Sequence, residues 1–137
     1  RQDPSSPYSG VISIFCERAV QGLPITVFGD GEQTRDFLYV GDLVQVMVQA
    51  LEQPQVEEGA VNIGLNQATS LNQLLAALEK VVGSLPAISY AAARSGDIRH
   101  SRADNQRLQA HYQLPVATPM GEGLRRLSEV IQAAQAK

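Results

Sequence analysis

Two arginines in glycine-bearing polar loops are the residues best suited to chemistry. Arg35 lies in Val27-Phe28-Gly29-Asp30-Gly31-Glu32-Gln33-Thr34-Arg35-Asp36-Phe37, where an apolar strand pattern runs into a Gly-Asp-Gly turn. Arg94 lies in a similar setting, Ala93-Arg94-Ser95-Gly96-Asp97. Two such loops could bring both guanidinium groups onto one doubly charged group, and a diphosphate is the obvious candidate. The planar guanidinium fork gives paired hydrogen bonds to phosphate oxygens and keeps its charge. The plainer alternative is two surface arginines paired with Asp36 and Asp97, since exposed ion pairs are common and weak.

Other chemistry is poorly supported. No Gly-x-Gly-x-x-Gly follows a strand pattern, and Gly29-x-Gly31 lacks both the third glycine and a following helix. No tyrosine has a lysine four residues on: Tyr8, Tyr39 and Tyr112 do not, and Tyr90 is followed by Arg94. His100 and His111 have no cysteine nearby, which argues against a metal site. Cys16 reads as a small buried hydrophobe without a histidine to activate it. Glu57-Glu58 reads as a solvated turn.

The elements that must position these residues follow from periodicity. The 137 residues suit one domain; 44% hydrophobic content supports a core and 18% charged content argues against disorder. A net charge of −3 without a basic tract argues against a nucleic-acid partner. The apolar runs are too short to span a bilayer, so no membrane partner is expected. A lone Cys16 allows no internal disulfide and fits a reducing, cytoplasmic setting.

Residues 10–21 predict a helix with Val11, Ile14, Phe15 and Ala19 on one face, ended by Gly22 and Pro24. Ile25–Phe28 and Phe37–Val40 predict short strands. Asp42 is expected to cap a helix over 43–52 with Leu43, Val46, Met47, Ala50 and Leu51 on its apolar side and Pro54 closing it. Ala60–Ile63 predicts a strand. Ser70 and Gln73 form a capping box for a helix whose face is Leu71, Leu74, Leu75, Leu78, Val81 and Val82, stopped by Gly83. Ile88–Ala92 predicts a strand, and Asp104 caps a short helix over 105–112. Thr118-Pro119 starts a last helix that buries Leu124, Leu127, Val130, Ile131 and Ala134. The fold class is α/β, with short strands and about five helices.

Several strings carry a family resemblance: Arg1-Gln2-Asp3-Pro4, Pro7-Tyr8-Ser9-Gly10-Val11-Ile12, the 28–37 segment, and Arg94-Ser95-Gly96-Asp97. In that order they resemble the C-terminal part of the NAD-dependent nucleotide-sugar epimerases and dehydratases, extended short-chain dehydrogenase/reductases, and most of all the bacterial UDP-glucose and UDP-N-acetylglucosamine 4-epimerases. The resemblance implies that Arg35 and Arg94 hold the diphosphate of a UDP-sugar. It also implies that Phe28 packs on the uracil, that Thr26 and Val27 meet the base edge through their backbone, and that Asp97 bonds the ribose. A phenylalanine face suits a base, since stacking is worth about 1–3 kcal/mol per base. On periodicity alone Phe28 is core, and Asp97 is a loop aspartate bonding its own backbone. Asp36 is expected to orient Arg35, Ser101 and Asp104 to be structural caps, and Arg1 and Gln2 to line the sugar cleft.

The resemblance further implies an intact isomerase of carbohydrate metabolism that holds NAD, removes hydride from C4 of the sugar and returns it to the other face. The family's acid/base tyrosine, its lysine and the Rossmann core lie upstream. The chain, beginning at Arg1, is therefore expected to be a fragment, inactive alone and without bound NAD. The intact enzyme is expected to be a homodimer. Residues 35–52 are expected to pack on the absent Rossmann domain and, lacking that cover, to promote self-association or to be displaced. A nucleotide-sugar 4,6-dehydratase, a UDP-glucuronate decarboxylase and a non-catalytic sugar-nucleotide binding module remain as alternatives.

Overall fold

The structure is a computed structural model that describes residues 10–53, 59–113 and 116–135. In chain order it contains α1 (Val11–Gln21), β1 (Ile25–Phe28), β2 (Thr34–Arg35), α2 (Val40–Glu52), β3 (Thr69–Ser70), α3 (Leu71–Val82), β4 (Ile88–Ala91), α4 (Gln106–His111) and α5 (Met120–Gln135).

The core is three helices laid against one strand. Phe15, Cys16 and Ala19 of α1 meet Leu71, Leu74, Leu75 and Leu78 of α3, Leu124 of α5, and Ile25 and Val27 of β1. Each helix supplies residues three or four apart, so one stripe of its surface is apolar. α1 ends where Gly22 takes φ +70° and the N–H groups of Gly22 and Leu23 cap the carbonyls of Ala19 and Arg18. At the head of α3 the expected box forms: Ser70 Oγ accepts from Gln73 N at 3.1 Å, and Gln73 Oε1 accepts from Ser70 N at 2.9 Å.

Strand pairing is sparse. β1 pairs parallel with β4, Ile25 opposite Ile88 and Phe28 opposite Ala91. β2 pairs antiparallel with β3, Thr34 opposite Ser70 and Arg35 opposite Thr69. The expected strand over Phe37–Val40 is absent. The ladder sits earlier, at Thr34–Arg35, and Val40 opens α2. Apolar and aromatic residues make a strand only where a partner edge is available, and here the partner lies opposite Thr34 and Arg35. Ala60–Ile63 likewise forms no strand. That stretch is held by side chains instead, with Asn62 Nδ2 donating to Asp104 O at 3.3 Å.

Two aspartates do different work from that expected. Asp36 does not orient Arg35. Its carboxylate accepts from the backbone N–H groups of Leu65, Asn66, Gln67 and Ala103 at 3.0–3.4 Å. The loop after residue 59 and the run before α4 are thereby drawn onto one charge. Gly64 is needed at this point, because a Cβ there would meet Asp36 Oδ2 at 2.7 Å and Ala103 Cβ at 2.6 Å. Asn105, 2% exposed, adds a bond from Nδ2 to Gly64 O at 2.9 Å.

Asp42 lies inside the first turn of α2 and does not cap it. It accepts from Thr118 N and Oγ1, both at 2.8 Å, and so ties the approach to α5 onto α2. Asp104 stands one residue before the N-cap of α4, which is Asn105 without a side-chain cap bond, and its Oδ1 accepts from Gln106 N at 3.0 Å. Ser101 contributes through its backbone, its N–H donating to Thr34 O at 3.1 Å.

Of the expected face of α2, Val46 is buried and Leu43 half-buried, while Met47, Ala50 and Leu51 are exposed. With Val40, Val44 and Val48 they leave an apolar stripe uncovered. The helix is held by polar clamps instead: Gln49 bonds the backbone of Gln113 through both Nε2 and Oε1, and Gln53 Nε2 donates to His111 O. On α5 the buried stripe runs through Leu124 and Ser128, with Leu127 and Ile131 packed beside it; Val130 and Ala134 are exposed. Residue 130 falls well round the helix from 124 and 128 and so faces solvent.

Asp36→Ala should lower unfolding stability by about 3 kcal/mol, because several N–H groups lose a charged acceptor together. Urea denaturation checks this, and an unchanged midpoint would overturn the role given to Asp36.

Candidate functional site

The parallel pairing of β1 and β4 brings two loops to one end of a sheet. Successive side chains of a strand point to opposite faces. Ile25 and Val27 therefore enter the core at 0% and 1% exposure, while Thr26 is exposed and Phe28 half-buried on the other side. The loop leaving the carboxyl end of β1 leads into β2 with Arg35, and the loop leaving β4 carries Arg94. Carboxyl ends of parallel strands are where open α/β sheets gather their ligand-binding loops.

The two loops are bonded together along their length. Gly29 N donates to Ala91 O at 2.8 Å, Thr34 N to Arg99 O at 2.9 Å, and Ser101 N to Thr34 O at 3.1 Å. Thr34 Oγ1 and His100 Nδ1 lie 3.0 Å apart. Arg99 forks onto Asp30, Nη1 to Oδ1 at 2.7 Å and Nη2 to Oδ2 at 2.8 Å. Neither Asp30 nor Arg99 stood out in the sequence. The available signal was opposite charge on two glycine-bearing turns.

The Gly29-Asp30-Gly31 turn needs its glycines, with φ +87° at Gly29 and +78° at Gly31. A Cβ on Gly31 would sit 2.1 Å from Asn72 Oδ1. Asn72, at the head of α3, donates to Asp30 O at 3.1 Å and to Glu32 Oε1 at 2.5 Å, and accepts from Tyr90 Oη at 3.0 Å. Gln33 reaches back, Nε2 to Phe28 O at 2.6 Å, while its buried Oε1 has no partner among the described residues.

Of the six residues singled out, Phe28 and Arg94 are in direct contact: the Arg94 guanidinium carbon lies 3.8 Å from the Phe28 ring centroid. Asp97 closes a turn on Arg94, its N–H donating to Arg94 O at 3.3 Å, with Gly96 at φ +85°. Arg35 stands on the adjoining β2 strand, its Nη1 bonded to Thr34 O at 2.8 Å. Thr26 Oγ1 lies 3.4 Å from Ser89 Oγ, and the Val27 side chain belongs to the core. Among the described residues neither Arg35–Asp36 nor Arg94–Asp97 forms an ion pair. Arg1, Gln2 and Glu57-Glu58 lie outside the described residues.

Cys16 is 0% exposed, and burial pushes its thiol up to about 12, so it stays protonated and unreactive. No cluster of metal-ligating side chains occurs among the described residues. No helix among them is long and apolar enough to cross a membrane.

The Asp30 carboxyl is held down at about 2, against an ordinary 3.8, chiefly by the Arg99 hydrogen bonds and then by the Glu32 N–H. A carboxyl depressed by folding supports the native state above its unfolded pKa, and the support fades as pH falls through the folded value. The window is therefore about pH 4 down to about 2. Both side chains are more than half exposed, so salt should weaken the effect. Carboxyl-carbon NMR titration should find the low Asp30 midpoint in the parent and its return toward 3.8 in Arg99→Met; equal midpoints would show that the fork does not persist in solution.

Known proteins share this fold. The family model "NAD dependent epimerase/dehydratase family" matches residues 1–64. The UDP-glucose 4-epimerase of Mycolicibacterium smegmatis is 33% identical over 129 residues, covering 94% of this chain and 41% of that protein. UDP-glucuronic acid decarboxylase 1 of Xenopus tropicalis is 35% identical over 116 residues, covering 85% of this chain and 27% of that protein. The crystal structure of Thermotoga maritima UDP-glucose 4-epimerase with UDP-glucose superposes with a TM-score of 0.86 at 33% identity, over 98% of this chain and 43% of that one. This chain thus spans less than half the length of each of these relatives, and it belongs to the NAD-dependent epimerase/dehydratase family.

Proposed function

We propose that the chain is the UDP-sugar-binding region of a NAD-dependent UDP-sugar 4-epimerase, which inverts C4 through a 4-keto intermediate. The observation that carries this reading is the joined loop pair at the carboxyl ends of β1 and β4. It sets Arg94 on the ring of Phe28 and holds Arg35 on the strand bonded to the same loop. In this reading Arg35 and Arg94 clasp the diphosphate. The Phe28 ring and the backbone of Thr26 and Val27 take the uracil, and Asp97 takes the ribose. Binding far from the reacting carbon anchors the nucleotide while the sugar turns.

The described residues do not fit NAD itself. The Gly29-Asp30-Gly31 turn runs into β2, not into a helix whose first N–H groups could hold the dinucleotide's pyrophosphate. The dinucleotide and the hydride step are assigned to other parts of a longer protein, and this chain alone is proposed to be inactive. The exposed stripe of α2, from Val40 to Leu51, is assigned as the surface that meets that dinucleotide-binding part. The intact enzyme is proposed to be a homodimer.

A decarboxylase acting on a UDP-uronic acid is the second reading, favoured by the identity to the Xenopus tropicalis enzyme. Products from the longer protein separate the two: inversion at C4 of a UDP-hexose against release of CO2 from a UDP-hexuronate.

Arg35→Ala and Arg94→Ala should each weaken UDP binding about 10- to 100-fold, the worth of hydrogen bonds to a charged group. Calorimetry with UDP measures this, and unchanged affinity in both variants would remove the diphosphate role. In size-exclusion chromatography the chain should elute larger than a monomer, and Val44→Lys with Leu51→Lys should shift it to monomer. A monomeric parent would count against the α2 surface.

A further inference from the structure

The loop after β4 carries Arg94 and Arg99, and they are held in opposite ways. Arg99 is locked in a two-bond fork on Asp30. Arg94 has no carboxylate partner among the described residues, and its guanidinium lies over the Phe28 ring at 3.8 Å from the centroid. Asp30 is engaged by Arg99, Asp36 by backbone N–H groups, and Asp97 forms no ion pair with Arg94 among the described residues. The ring is therefore the resting partner of Arg94. At that separation the guanidinium fills the space that a second flat ring would need on the same face of Phe28.

We infer that Phe28 and Arg94 form one specificity element, in which a base arriving on Phe28 displaces the Arg94 guanidinium and frees it for the phosphates. This rests on the proposed UDP-sugar reading and adds a coupling to it. A ligand with phosphates but no base must itself pull Arg94 off the ring and loses that contact. A ligand with both replaces the contact with base stacking. The site thereby favours a nucleoside diphosphate over the bare anion, without any group that repels the anion. Base and phosphate binding are reciprocal: each strengthens the other by the same factor.

Inorganic pyrophosphate, uridine and UDP are the probes, titrated by calorimetry into the parent, Phe28→Leu and Arg94→Ala proteins. Phe28→Leu keeps an apolar side chain but removes the ring. It should weaken UDP binding yet tighten pyrophosphate binding about 2- to 5-fold, the range of an exposed cation–π contact. Saturating uridine should tighten pyrophosphate binding to the parent by a similar factor. Unchanged or weaker pyrophosphate binding in Phe28→Leu overturns the inference. Should that variant lose its circular dichroism, the uridine experiment decides, and unchanged pyrophosphate affinity there overturns it equally. Arg94→Ala separates the two layers. If it binds pyrophosphate as well as the parent, the diphosphate role itself fails. If it binds less and Phe28→Leu shows no gain, only the coupling fails.

Discussion

The parallel pairing of β1 with β4 is the constraint from which the candidate site follows. The two strands are distant in sequence, yet Phe28 stands opposite Ala91, so both chains leave the sheet at one end. One side of β1 is fixed by the helical core through Ile25 and Val27. That anchoring leaves Phe28 outside and gives the turn that follows it a fixed starting point. The loop from β4 is then bonded to that turn in several places, by backbone bonds at Thr34 and by the Asp30–Arg99 fork. Two loops that would each be mobile alone hold one another's shape.

Rigidity beyond the core comes mostly from single polar groups, each accepting from several donors. Asp36 gathers backbone N–H groups from two distant stretches, and Asp42 anchors Thr118. Asn72 links α3 to the Gly-Asp-Gly turn and to Tyr90. A charged acceptor bonded to backbone N–H groups is stronger than a neutral one and tolerates loop conformations that no ladder could join. The segment around Gly64 is a case in point: it has no strand pairing, yet it is held closely enough that a methyl group at Gly64 would clash.

Helix signals are legible in the sequence, whereas short strands and partners distant along the chain are not. The Ser70–Gln73 box and the leucine stripe of α3 are complete within a few residues, and α1 and β1 likewise announce their own ends. β2 and β3 are two residues each, and nothing within either segment names its partner. The sequence displays only the chain neighbours of Asp36 and Asp42; their partners are brought in by the fold. The turns beside Arg35 and Arg94 are legible from their glycines, which take positive φ at Gly29, Gly31 and Gly96. The Phe28–Arg94 contact and the Asp30–Arg99 fork depend on β1–β4 register, which composition and spacing do not encode.

Cys16 offers a last consequence. It is the sole cysteine of the sequence, it has no solvent-facing surface, and its thiol stays protonated. A maleimide or disulfide reagent can reach it only when α1 lifts away from α3. The rate of its modification is therefore a clock for the opening of the helical core, readable without any introduced label and separable from motions of the loops.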